Sequence, residues 1–429
     1  MLPQTLRLQF RYFIHILFFC YLGSLFVSPA GMEFFFWGLF FSLSAWVFWE
    51  SSQVEQAPVV IPPFTLPILL FTGVYLLEIF IGGGDPADKW ANLTKLRFFG
   101  VYLTLFLYLR NLDRFSIRYL PFLAAASSLL GFLLVLWRFF PDMVFALPTP
   151  SSTNGISTPF ILGFQDMRDV YASACLPISC LLLGAGISHQ SGSSWFVLSA
   201  LFSLGVALVF AGNPVWVICL PAAAMIVFSG RTVRGGMAAA GLALALFLVL
   251  SHGSLSTNPV AQSVWQKRNM ASLRADWKDI SADWKLFRRH PWLGQSHGLG
   301  RSLAGSPPQL HPATQLSYLS TNPFRLIVDN GILGFAAYLL LWVTIFSSLA
   351  ISLQLLPRIR MHYWLARGLF AALVVFHIQG WFDPQFGQNL ATDHMLMFLL
   401  ALVAILAGAN SVLPEPAFGL ADEPTPSRE

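Results

Sequence analysis

Charge is what this sequence has least of. Asp, Glu, Lys and Arg make up 10% of its 429 residues, against 56% hydrophobic residues and a mean hydropathy of +0.64. A soluble chain would carry about a quarter charged residues, so a soluble globular protein is excluded. Cysteine is as scarce: Cys20, Cys175, Cys180 and Cys219 all lie in apolar segments, and none has CxxC spacing. A disulfide framework or thiolate metal site is therefore not expected. No A-x-A cleavage site follows the apolar run behind Arg7 and Arg11. The N-terminus thus reads as a first membrane helix and not as a removed signal peptide.

Apolar runs of spanning length, about 20 residues each, are abundant. They fall near 12–29, 32–49, 63–82, 95–110, 118–140, 169–187, 194–211, 214–229, 235–252, 330–351, 363–382 and 394–410. The expected fold class is an all-α polytopic membrane protein with about 12 transmembrane helices. Basic residues in alternate short connections set the orientation: Arg7 and Arg11; Arg110, Arg114 and Arg118; Arg231 and Arg234; Arg358, Arg360 and Arg367. These connections and both termini are predicted to be cytoplasmic. The opposite face, the periplasm in a bacterium, receives 83–94, 141–168, 212–214, 253–329 and 383–393. Residues 1–252 then hold helices one to nine, 330–410 the last three, and 411–429 a disordered cytoplasmic tail rich in Pro.

Few ionisable residues interrupt the spans. Glu78, Arg97, Arg138 and His377 are the main ones, and Arg97 and Arg138 lie near span ends, where they can snorkel. An ion-coupled transporter keeps charged groups near the midplane, so this scarcity counts against one. Buried pairing or a functional role remains open for Glu78 and His377.

The charge that is present is concentrated. The segment 253–329 holds nine Lys or Arg and four Asp, a net +5 that equals the charge of the whole chain. A membrane protein that gathers its excess charge in one extramembrane loop is suited to an anionic partner. On a helical projection of 274–289, Lys278, Lys285 and Arg289 fall within about 60° of Arg274. Trp277, Ile280, Trp284 and Phe287 form an apolar stripe beside them, and Asp276, Asp279 and Asp283 occupy the far side. Such a helix lies on a membrane surface with its basic stripe at headgroup level. The stripe serves either a lipid-linked phosphate or plain contact with membrane lipids. Pro291 ends the helix, and Gly294, Gly298 and Gly300 then allow backbone amides to approach a ligand closely. Arg outnumbers Lys 20 to 5 across the chain. That ratio suits forked recognition of phosphate, although genomic base composition produces it too.

The order basic-x-x-Trp, then HPWLGxxxGxG, then TNPFRLIVDNGILG leading into a late apolar helix resembles the O-antigen ligase/polymerase superfamily of bacterial membrane glycosyltransferases. The resemblance is strongest over 274–340 and weaker over 160–187, where GFQDMRDVYASACLP looks like the earlier periplasmic segment of that family. The first 140 residues match only in hydropathy. The resemblance implies an inner-membrane enzyme with its site on the periplasmic face. Its donor would be a glycan on undecaprenyl pyrophosphate, and its acceptor the lipid A core (ligase) or a growing glycan (polymerase). No cofactor, metal or nucleic acid is implied.

By the same resemblance, Arg168 and Arg274 are candidate catalytic arginines that stabilise the departing pyrophosphate. Lys278, Arg288, Arg289, His290, Gly294, His297, Gly298, Gly300 and Arg325 are candidate substrate contacts. Ligases of this family carry His before the Asn of the last motif. This chain has Thr321 before Asn322, and the loop contains no Glu. A replacement base must come from His290, His297, His311 or an Asp. His311 is nearest in sequence, and with Asn322 it completes the catalytic candidates. The departure weakens the ligase assignment and leaves polymerase open. A non-enzymatic transporter of lipid-linked glycan is the further alternative.

Overall fold

The computed structural model describes residues 4–27, 29–53, 61–81, 97–111, 121–129, 177–186, 195–200, 287–288, 291–294, 323–356, 361–382 and 390–412. Among these residues the chain is all helical, with no strand. The long elements are α1 (Gln4–Val27), α2 (Pro29–Gln53), α3 (Thr65–Ile81), α4 (Arg97–Asn111), α5 (Pro323–Leu355), α6 (Met361–Phe382) and α7 (Leu390–Val412). Three stretches are long and apolar enough to cross a membrane: Thr5–Leu25, Gly31–Trp49 and Asn330–Leu355. The helices overlap ten of the expected apolar runs, three of them only in part (121–129, 177–186 and 195–200); the runs near 214–229 and 235–252 lie outside the described residues.

Local signals account for the ends. Pro29 and Pro323 open α2 and α5, where a residue without an N–H loses nothing and its fixed φ suits the first turn. Ahead of α3 the Thr65 hydroxyl donates to Pro62 O at 2.6 Å, and the Tyr102 hydroxyl donates to Pro63 O at 2.9 Å. Within α5 three hydroxyls donate back one turn: Thr344 to Leu340 O, Ser348 to Thr344 O and Ser352 to Ser348 O, at 2.7–2.8 Å. That satisfies them without a partner helix, as an apolar surround demands.

The helices differ in how much of their circumference is covered. In α2 one stripe is buried: Met32, Phe36, Leu39, Leu43 and Trp46. Its other face exposes Phe34, Phe41 and Phe48, rings suited to lipid and not to water. In α7 every residue from Asp393 to Ala404 is buried. A helix apolar all round is a central one, and α7 touches α1, α2, α4, α5 and α6. The pair α5 and α6 runs antiparallel, with Phe346 on Phe370 and Tyr338 on His377. So do α1 and α2, with Tyr21 on Phe36 and Phe10 on Trp46. Helix α6 crosses 177–186 backbone on backbone. A Cβ at Gly184 would meet Trp364 O at 2.5 Å, and one at Gly368 would meet Cys180 O at 2.8 Å. Glycine on both sides is what such an approach requires.

Candidate functional site

One end of the bundle brings together polar groups from four helices. Tyr21 of α1, Glu33 of α2, Arg97 of α4 and His394 of α7 meet there. The Tyr21 hydroxyl lies 3.0 Å from His394 Nδ1. With that hydroxyl donating to Nδ1, the ring proton on Nε2 faces Glu33. The Nε2 to Oε1 separation is 3.7 Å, beyond hydrogen-bond reach, so the contact is electrostatic. The same Oε1 lies 3.2 Å from an Arg97 Nη. Phe36 and Phe98 present ring edges to the imidazole at 5.4 and 6.0 Å. Exposure rises outward along this chain of contacts: Tyr21 0%, His394 1%, Glu33 22% and Arg97 43%.

A second histidine lies at the same end. His377 Nδ1 donates to Leu373 O at 2.9 Å, the Tyr338 hydroxyl reaches its Nε2 at 3.4 Å, and Trp342 meets the ring edge-on at 3.9 Å. Phe71 of α3 touches both Tyr338 and Phe99, which links this histidine to the Arg97 side of the bundle.

Seven residues before Tyr338, about 10 Å along a helix axis, α5 breaks at Gly331 with φ 65° and ψ −170°. The turn 291–294 docks on that break. Ile332 N–H donates to Pro291 O at 2.9 Å, and Leu333 N–H donates to Trp292 O at 3.2 Å. A Cβ at Gly331 would lie 2.4 Å from Trp292 O and from Gly294 N. The backbone of HPWLG is thus hydrogen-bonded to the backbone of VDNGILG. Asn330, beside the break, is buried with no partner for Oδ1 or Nδ2 among the described residues. An amide buried unpaired costs about 1–3 kcal/mol, and such exceptions call for a functional or structural reason.

Of the sequence-predicted site, Gly294 is buried with φ 69° and forms part of this junction. Arg288 is exposed and Phe287 beside it is buried within the protein, whereas residues 274–286 of the expected surface helix lie outside the described residues. Arg325 lies in the first turn of α5, and its side chain is outside the described residues. Arg168, Arg274, Lys278, Arg289, His290, His297, Gly298, Gly300, His311 and Asn322 also lie outside the described residues. So do Arg138 and the side chain of Glu78. Within the last residues of the loop expected over 253–329, Pro323 starts a helix, and it is interrupted at Gly331 before the apolar stretch Asn330–Leu355 continues.

Glu33 and His394 are not among the sequence-predicted site residues, although both stand inside predicted spans. An acid and an imidazole within apolar runs were the available signal. What the sequence could not supply was their pairing across 361 residues. No group of three or more His, Cys, Asp or Glu side chains able to hold a metal occurs among the described residues. No family model and no curated protein matches the chain.

Proposed function

We propose that the protein is a metal-independent glycosyltransferase of the bacterial inner membrane, with about 12 spans and its site on the periplasmic face. It transfers a glycan from undecaprenyl pyrophosphate to an acceptor, most simply as an O-antigen ligase acting on the lipid A core. The observation that carries this reading is the docking of the 291–294 turn on the Gly331 break. These two segments are the ones in which the sequence resembles the family, and their contact makes one unit of motifs some 40 residues apart. The basic loop supplies candidates for the charge on the leaving pyrophosphate, through bidentate hydrogen bonds from Arg168 and Arg274. Apolar helices suited to a membrane agree with a lipid-linked donor.

Polymerisation of repeat units is the second reading, favoured by Thr321 where ligases carry His. Deleting the gene and separating lipopolysaccharide on a gel distinguishes the two. Loss of all capped material supports the ligase, a single-repeat band supports the polymerase, and an unchanged ladder overturns both.

A further inference from the structure

We infer that Glu33 is the residue that accepts the proton of the acceptor hydroxyl, with His394 and Tyr21 positioning its carboxylate from behind. The inference rests on the glycosyltransferase reading above. Ionisable groups within apolar helices are costly and rare, and they persist where they are paired or used. Here four helices each contribute a group to one end of the bundle: Tyr21, Glu33, Arg97 and His394.

The order hydroxyl, imidazole, carboxylate matches that of a nucleophilic triad. Burial decides against that role, because Tyr21 is 0% exposed and no substrate can reach its oxygen. The accessible member is the carboxylate. Its Oε1 is fully buried between Arg97 and His394, so the 22% exposure of the side chain lies elsewhere on it. One carboxylate oxygen is therefore held between Arg97 and His394. This end of the bundle is also the end of α5 that carries the Gly331 break.

In the step proposed, the acceptor oxygen bonds to the anomeric carbon as the bond from that carbon to the pyrophosphate oxygen breaks. The acceptor proton passes to Glu33, and the bonding pair leaves on the polyprenyl pyrophosphate. Glu33 returns the proton to water before the next turnover. A positioned carboxylate base contributes about 10²–10⁴-fold to rate.

The test is transfer by the purified protein, with lipid-linked glycan and lipid A core extracted from a strain lacking the gene. Glu33→Gln keeps the shape of the side chain. It should lower kcat by about 10²–10⁴, leave KM for the donor unchanged and abolish the acidic limb of kcat against pH. Glu33→Ala should regain turnover on adding formate, a small carboxylate able to occupy the vacated site. If Glu33→Gln fails to fold, the formate rescue of Glu33→Ala decides alone. A folded Glu33→Gln with wild-type kcat, or a Glu33→Ala that formate does not rescue, overturns the inference: the cluster is then a helix clamp. If the wild-type protein transfers nothing, the glycosyltransferase reading fails and takes the inference with it. An active wild type beside a fully active Glu33→Gln removes the inference alone.

Discussion

Gly331 and Gly294 meet backbone to backbone: a Cβ on Gly331 would stand 2.4 Å from the Gly294 amide nitrogen. Two short segments distant in sequence are joined there with no side chain between them. Gly331 also holds φ 65° and ψ −170°, a region that is essentially glycine-only.

Gly331→Ala should therefore cost stability twice, through the backbone and through the steric contact, with the conformational part alone about 1–3 kcal/mol. A lowered melting temperature in detergent checks it. The control is Gly100→Ala or Gly408→Ala, where a Cβ meets nothing within 4 Å. Alanine there should raise stability by about 0.5–1 kcal/mol, as in any helix interior. Equal effects at Gly331 and the controls would contradict the junction.

The crossing of Gly184 and Gly368 predicts non-additivity. Either alanine alone forces α6 away from 177–186 and should cost about 1–3 kcal/mol by overpacking. Once the helices have moved apart, the second Cβ meets less resistance. The double variant should thus lose clearly less than the sum of the singles. A strictly additive thermal-melt cycle would argue that the two backbones do not touch.

Arg274→Ala should lower turnover by about 10²–10³, as for removal of one preorganised donor at a developing charge. Arg274→Lys should restore only part, because an ammonium keeps the charge and loses the fork. If Arg274 instead anchors a surface helix to anionic lipid, worth about 1 kcal/mol, lysine should substitute fully. An in vitro transfer assay on both variants, with folding checked by size exclusion, separates these outcomes.

Orientation is open to direct labelling. A cysteine placed at Ser306 should react with an impermeant reagent in intact cells, and one at Ser427 should be protected. The reverse pattern would put the basic loop in the cytoplasm and end the periplasmic reading.

Transfer activity should survive an excess of chelator. On the helical projection, the three acids of the 274–289 segment share the face opposite its basic stripe, so a divalent cation held by them would sit away from the arginine assigned to the pyrophosphate. Activity restored only by adding a divalent cation would contradict this.

Much of the helical architecture was legible because apolar runs of the required length have few other uses. Burial within it was not. In water, a period of 3.6 separates a buried face from a solvated one. Along α2, Phe36 and Leu39 are buried, whereas Phe34 and Phe41 are exposed, and all four are equally apolar. Lipid removes the contrast on which the period depends. α7 shows the same limit: MLMFLLALVAIL is apolar in every direction, as α2 nearly is, and only the packing shows that α7 is enclosed and α2 is not. The candidate site was legible as motifs along the chain. The docking of Pro291 and Trp292 on Gly331 was not, because backbone-to-backbone bonds leave no signature in side-chain identity beyond the glycines themselves.

The central place of α7 bears on how the protein is made. Helices α1, α2, α4, α5 and α6 all pack on α7, yet each leaves the ribosome before it. Until α7 is inserted, the faces carrying Tyr21 and Phe98 have no imidazole to enclose. The early helices must wait in the bilayer as packed hairpins, such as α1 on α2, that lack their central partner. A ribosome stalled before residue 390 would leave a chain inserted but unconsolidated, the kind of product that membrane quality-control proteases remove.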